Sequence, residues 1–354
     1  MKKEGIIYRG AGQPFRYQGW PTVIRDEDEN LYVACSGYRS AHICPMGKNL
    51  FFKSLDGGES WSCPMIVNDT WFDDRDAGLT YLGNGKMILT YFHNDAELYT
   101  GQWKAGIERD SDEMARGAVM AILDTYSILP KEESKEGAFV RLSENYGMNW
   151  SDAIRVPISS PHGPTYTGSG RLLYFGKKLG ENAIELHESV DCGKSWHYIS
   201  TVPSLGENHP GLVFEPHLAE LPCGTLVGAI RVEIIDKNKK ELTIYMTFSE
   251  DGGKSWSIPT PTGICGTPPH LLLLRDGNLL LSYGRRDIPR GSRARISTDG
   301  GKTFGEEYIL SESDSYDIGY PSTVELDDGT LFTVHYQAWG NDDKTSILYT
   351  KWTR

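Results

Sequence analysis

The sequence predicts an all-β chain of 354 residues folded as a single six-bladed β-propeller with one insertion, at residues 94–137 in blade 2. Two observations carry that expectation. An octapeptide, Ser-x-Asp/Asn-x-Gly-x-x-aromatic, recurs five times: SLDGGESW from Ser54, SENYGMNW from Ser143, SVDCGKSW from Ser189, SEDGGKSW from Ser249 and STDGGKTF from Ser297. Between these lie six segments that each read as a strand, a turn and a second apolar strand. They align on Gly85, Gly170, Gly224, Gly277 and Gly329, with Glu29 at that place in the first.

Each octapeptide has the chemistry of a hairpin tip. The Asp or Asn side chain can accept from nearby backbone N–H groups, glycine supplies positive φ, and the aromatic packs under the turn. Each repeat therefore supplies one four-stranded antiparallel sheet around a central axis. The last segment, TSILYTKW, has no octapeptide after it, so the N-terminal EGIIYRG is expected to supply the outer strand and close the ring. Residues 94–137 break the spacing. They show helical periodicity at Met114, Ala118, Ile122 and Tyr126, then the polar run KEESKEG. The insertion reads as a solvated excursion or, alternatively, as a lid over a site.

Composition narrows the function. A net charge of −12 argues against nucleic-acid or anionic-membrane partners, so an anionic ligand needs a local cluster of arginines. There is no apolar run long enough to span a membrane and no leader-like segment behind the two N-terminal lysines. The six cysteines are scattered without CxxC pairs, which reads as free thiols in a reducing, cytoplasmic setting, or as a secreted chain if a signal has been trimmed. No phosphate loop, nucleotide fingerprint or paired metal-ligand spacing is present, so neither a cofactor nor a metal is expected.

The octapeptide is the Asp-box, and Asp-boxes on a six-bladed propeller resemble the sialidase (neuraminidase) superfamily over essentially the whole chain. Fold does not fix activity, so the axial positions must carry the argument. In that family a tyrosine is the nucleophile, a neighbouring glutamate takes its proton, an aspartate is the acid/base, and three arginines clamp the substrate carboxylate. Tyr320, nine residues before Gly329, matches the tyrosine, and Glu215, nine before Gly224, matches the glutamate. Arg231, seven residues after Gly224, matches one clamp arginine. A tyrosine at a strand start often only packs, and Glu215 with Arg231 could be a structural ion pair. Equivalence within the repeat is what raises the catalytic reading.

Other members fit less directly. Arg39 resembles a clamp arginine at the end of the second strand of blade 1 and is expected to face the site. Blade 5 should give the third, with Arg293 preferred and Arg286 second. The family's Arg-x-Pro register reads Gly19-Trp20-Pro21, so the first clamp arginine is absent. The stretch that normally carries the acid/base aspartate, Ser40–Gly47, has no carboxylate, leaving His42 as its proton carrier. Asp76, at the Tyr320 height on blade 2, is the other candidate, with Arg75 beside it as a substrate contact. His162, His217 and His270 share a register on blades 3 to 5 and, with His42 and His93, imply a polar sugar pocket. The resemblance thus implies a glycoside hydrolase releasing a terminal, acidic sugar from a small glycan. The alternatives are a lyase or other glycosidase acting on uronic-acid glycans, or a non-catalytic carbohydrate-binding propeller.

Overall fold

The computed structural model describes residues 2–130, 132, 134–206, 209–236 and 239–354. Its strands form six antiparallel sheets, taken in chain order around an axis. The innermost strands are Tyr17–Arg25, Arg75–Gly83, the split pair Ile158–Ser159 and Thr165–Tyr166, Leu212–Glu220, Pro269–Leu273 and Gly319–Glu325. Lys2–Tyr8 pairs antiparallel with Thr345–Trp352, from Lys2 opposite Trp352 to Tyr8 opposite Ile347. The first strand of the chain thus completes the last blade, as the missing octapeptide implied.

Period-two alternation explains the apolar runs. Leu31, Val33 and Cys35 of one strand pack toward blade 6, whereas Tyr32 and Ala34 pack toward blade 2. Both faces of each blade are buried, so the second strands read as nearly continuous hydrophobic segments. The core is therefore six separate wedges, one at every blade interface. Adjacent innermost strands are also cross-linked by side chains. Ser160 Oγ donates to the Pro216 carbonyl at 2.6 Å, and the Val23 N–H donates to Ser322 Oγ at 3.2 Å.

The octapeptides fold alike. In the first, Ser54 Oγ donates to Asp56 Oδ1 at 2.8 Å while accepting from the Gly58 N–H at 2.9 Å. Asp56 also accepts from the Ser60 N–H at 2.9 Å and the Ser60 hydroxyl at 2.5 Å. These donors hold the carboxyl at about 2, with the Ser60 hydroxyl contributing most. The turns anchored by Asp191, Asp251 and Asp299 repeat the pattern. Asn145 supplies the neutral version, accepting from the Asn149 N–H at 2.9 Å. The second turn glycine has positive φ and lies against the preceding blade. A Cβ on Gly147 would overlap the buried Phe51 ring.

The insertion forms three short helices between the second and third strands of blade 2: α1 (Ala96–Thr100), α2 (Lys104–Asp110) and α3 (Arg116–Tyr126). Asp95 caps α1 by accepting from the Glu97 N–H at 3.0 Å. The buried stripe of α3 is Ala115, Val119, Leu123 and Tyr126, not the expected Met114, Ala118 and Ile122. Met114 is 81% exposed. The stripe is shifted because the helix docks on Cys44 with Tyr99 and Ile107 beside it. The insertion is thus neither a solvated excursion nor loose, since Tyr126 donates to the Pro45 carbonyl at 3.2 Å and Arg16 pairs with Asp112 at 3.1 Å. Lys131 and Glu133 of the polar run lie outside the described residues.

Gly147→Ala should destabilise the fold by about 3 kcal/mol, because left-handed backbone strain adds to overlap with Phe51. Gly170→Ala, with φ of +82° but open space around it, should cost only about 1 kcal/mol. Chemical denaturation of the two variants checks the difference; equal losses would mean that the turns do not dock between blades.

Candidate active site

Four blades carry the same backbone defect at the start of the innermost strand. Trp20, Asp76, Glu215 and Tyr320 have φ of 54°, 48°, 40° and 50°. Each sits where the pairing register slips, between Gly19 and Thr22, Arg75 and Gly78, Phe214 and His217, and Gly319 and Ser322. A left-handed residue with a side chain costs about 1–2 kcal/mol. The bulge re-aims these four side chains and sets them at one height near the axis.

Tyr320 and Glu215 meet across it. The phenol donates to Glu215 Oε1 at 2.5 Å, and Arg231 Nη1 donates to Glu215 Oε2 at 2.5 Å. The same Nη1 lies 3.5 Å from the phenol oxygen. Arg231 also forks onto Glu233, which Lys240 meets at 2.7 Å. Burial, then the charges of Glu215 and Asp76, push the Tyr320 phenol well above its ordinary value, with Arg231 and Arg286 opposing. The tyrosine therefore stays protonated until a base removes its proton.

Asp76 is 5% exposed and its Oδ1 is buried without a hydrogen-bond partner. Burial raises its pKa to about 7; Arg75 pulls it down and Glu215 pushes it up. It is a carboxyl that still holds a proton near neutrality. Arg75 lies over the Trp20 ring at 4.1 Å and donates to the His42 carbonyl and to Asp73, each at 3.1 Å.

His42 lies at the rim with its side chain 44% exposed. Its Nδ1 is 2.8 Å from the Tyr17 hydroxyl and 3.1 Å from Asp317 Oδ1, which also accepts from the Tyr336 hydroxyl at 3.0 Å. Enclosure lowers the imidazole pKa, against the pull of Asp317. Burial raises the Asp317 carboxyl, but its bonds with His42, Tyr17 and Tyr336 prevail and hold it at about 2.

Two expected clamp arginines lie elsewhere. Arg39 is fully buried behind Trp20, 4.7 Å from its ring, and is forked onto Asp73. Its guanidinium is already paired inside the protein, with Asp73, Ser36 and the His42 carbonyl. Arg293 is also fully buried, its guanidinium spent on backbone carbonyls including those of Pro289 and Ser292. The preference within blade 5 is thus reversed: Arg286 is the arginine whose charge acts on Tyr320, Tyr336 and Arg231, and its Nε is buried without a partner. The place of the absent first arginine is filled. A Cβ on Gly19 would lie 3.3 Å from the Tyr17 ring and 3.8 Å from Tyr336.

His162, His217 and His270 do gather, with ring centroids 4.4–5.6 Å apart. They line a cavity of about 480 Å³ further along the axis, bordered by Thr22, Thr80 and Thr323 instead of Tyr320 or Glu215. His93 is buried against Phe72, 4.4 Å away. Among the described residues no group of three or more His, Cys, Asp or Glu is arranged to hold a metal ion. Sequence reasoning missed Asp317, Tyr17, Tyr336 and Asp73. Tyr336 was reachable, since it stands seven residues after Gly329 as Arg231 stands after Gly224.

Fold and site together define a six-bladed propeller with a tyrosine–glutamate–arginine constellation on its axis. The family model described as a BNR repeat-like domain matches residues 113–333, and the chain belongs to that family. Among solved structures it resembles a protein of unknown function from Dyadobacter fermentans (TM-score 0.77, 21% identity, 99% of this chain and 97% of the other). It is also similar to the NanB sialidase of Streptococcus pneumoniae (0.68, 13%, 99% and 70%) and to an α-L-arabinanase of Penicillium chrysogenum (0.63, 13%, 99% and 98%). No curated protein sequence matches the chain.

Because Asp76 binds its proton more tightly folded than unfolded, stability should fall as pH rises from about 4 and level off above about 7. Asp76→Asn should flatten that slope and gain more stability at pH 8 than at pH 5. Denaturation midpoints at the two pH values measure this, and a parallel loss at both would place the Asp76 carboxylate in a solvated setting.

Proposed function

We propose that this chain is a glycoside hydrolase that releases a terminal acidic sugar, with Tyr320 as nucleophile and Glu215 as its base. The observation that carries the reading is the 2.5 Å bond from the Tyr320 phenol to Glu215, with Arg231 braced against the same carboxylate. A neutral phenol is a poor nucleophile, and a carboxylate in contact with its proton is the device that activates it. Glu215 takes the proton as the phenol oxygen bonds to the anomeric carbon. Asp76 gives its proton to the departing glycosidic oxygen. Water then attacks the same carbon as its bond to the Tyr320 oxygen breaks, Asp76 takes the water's proton, and Glu215 returns its own to the departing phenolate. Arg286 receives the sugar's carboxylate, with the charge of Arg231 beside it, since a guanidinium fork matches that geometry. Asp76 suits the acid role because it retains a proton near pH 7; half-exposed His42 attends the leaving group.

A second reading is favoured by Gly19 and by the withdrawal of Arg39 and Arg293. With fewer arginines at the site, a uronic-acid glycan with a less encumbered carboxylate becomes the substrate, cleaved by hydrolysis or elimination.

Fluorogenic sialosides and uronides, assayed side by side, separate the two readings; an ultraviolet-absorbing unsaturated product marks elimination. Tyr320→Phe should lower kcat by about 10³-fold while leaving KM and the fold nearly unchanged, and unchanged turnover would remove Tyr320 from the chemistry. kcat/KM should decline as pH rises through about 7, where Asp76 loses its proton. Asp76→Asn should abolish that limb together with most of the activity on unactivated leaving groups.

A further inference from the structure

The axis holds a second polar feature, the histidine cavity of about 480 Å³, which the Tyr320 chemistry does not use. Residues 22–25, 79–81, 217–220 and 323–325 line it, two to five positions beyond the four bulged residues on the same inner strands. At a strand rise of about 3.3 Å per residue, its mouth lies about 17 Å along from the bulges.

Blade 3 gives up a regular inner strand to supply His162. Between Ile158–Ser159 and Thr165–Tyr166 the chain turns at Gly163, whose φ is +78°. It packs so closely on blade 2 that a Cβ on Gly78 would lie 2.4 Å from the Gly163 nitrogen. The Thr22 and Thr80 hydroxyls donate to the Pro161 and Pro164 carbonyls and pin the segment on both sides of His162. The buried rings of His217 and His270 stack at 4.4 Å, and His162 stands edge-on to both.

Burial lowers the pKa of all three imidazoles, His217 to about 4, and neighbouring rings lower His162 and His270 further. Each is therefore neutral at pH 7, with one N–H and one bare nitrogen. His217 Nδ1 accepts from the Leu271 N–H at 3.0 Å, so the ring's own proton is on Nε2. The Thr22 hydroxyl donates to the Pro161 carbonyl at 3.3 Å, so it accepts from His162 Nδ1 at 3.1 Å and leaves His162 Nε2 bare. That Nε2 and His270 Nδ1 are buried without a hydrogen-bond partner. A donor and an acceptor on adjacent rings match a hydroxyl, which gives one hydrogen bond and takes another. A metal ion needs bare nitrogens only, and a carboxylate needs donors only. Charge points the same way. Of the arginines at the mouth, Arg25 is paired with Glu29 and Asp327, and Arg275 with Asp327, so neither is left for an anion. Val23, Leu79, Leu271 and Val324 add apolar wall for C–H groups.

We propose that the axial cavity binds a small neutral polyol through His162, His217 and His270, at a site separate from the Tyr320 centre. The site stands whether or not Tyr320 is a nucleophile. A bound hydroxyl satisfies nitrogens whose burial without a partner is otherwise destabilising.

Calorimetry on the full chain with glycerol, erythritol and myo-inositol should show saturable binding of at least one, and acetate should not compete. His162→Phe keeps a flat ring and removes the acceptor, and should weaken binding about fivefold. Leu273→Trp narrows the mouth without touching the imidazoles and should weaken it at least as much. This second variant keeps the test decisive if His162→Phe fails to fold. Tyr320→Phe should bind the polyol as the unaltered chain does. No binding of any of the three polyols, indifference to both cavity substitutions, or loss of binding in Tyr320→Phe overturns the proposal. Displacement of the polyol by acetate or by zinc overturns it too, since each requires other tautomers. A chain that binds the polyol but cleaves no sialoside keeps this site and loses the hydrolase reading.

Discussion

Everything at this site depends on a backbone that is locally unfavourable. A regular antiparallel strand would turn Tyr320, Glu215, Asp76 and Trp20 along the sheet faces, into the wedges between blades. The left-handed bulge re-aims each of them at the axis. Its cost is borne by the blade interfaces, where fully buried residues such as Val33, Leu79, Ile230 and Phe332 lock the strands on either side. Four blades bulge and two do not. Blade 3 interrupts its inner strand around His162 and Gly163, and blade 5 starts at Pro269, later than its neighbours. The circle is consequently uneven, with ionisable groups (Asp76, Glu215 and Tyr320) on blades 2, 4 and 6 and the Trp20 ring on blade 1.

Electrostatics then sort those groups. Glu215 faces an arginine and a phenol; Asp76 faces burial without a hydrogen bond to one of its oxygens. The two carboxyls influence each other, so the charge on Glu215 helps keep the proton on Asp76. One fold element, repeated, sets two carboxyls in different surroundings because their neighbours differ: Arg231, from the second strand, stands beside Glu215, whereas Arg75, adjacent to Asp76 on the inner strand, is largely occupied by Asp73. Asp73 also holds Arg39, and the insertion holds Asp73 through Tyr99. The helices are therefore mechanically joined to the corner that carries His42.

The architecture was legible because its signal is repeated and local. Hairpin tips and period-two strands need no tertiary information, and counting from the turn glycine put Tyr320, Glu215 and Asp76 at one position, nine residues before it, with Arg231 seven after it on the next strand. What failed was direction. Arg39 and Arg293 occupy strand positions from which a guanidinium can reach either the axis or the interior, and Asp73 or backbone carbonyls claimed them. The arginine-rich run from Arg285 to Arg295 offers no periodicity to choose between Arg286 and Arg293. The α3 stripe was misread by one residue because two spacings of four run side by side, and only the docking partner, Cys44, selects between them. The histidines were placed on the right strands but, lying further along, they line the axial cavity instead.

The pairing of Lys2–Tyr8 with Thr345–Trp352 has a temporal meaning as well as a structural one. In chain order the outermost strand of the final blade precedes its three partner strands by all of the other five blades. Until those arrive, the opening strand has no partner and the axis is missing Asp317, Tyr320 and Tyr336 together. Glu215 then has its arginine but not the phenol that donates to it. The contact between Tyr320 and Glu215 thus forms only with the fastening of the ring.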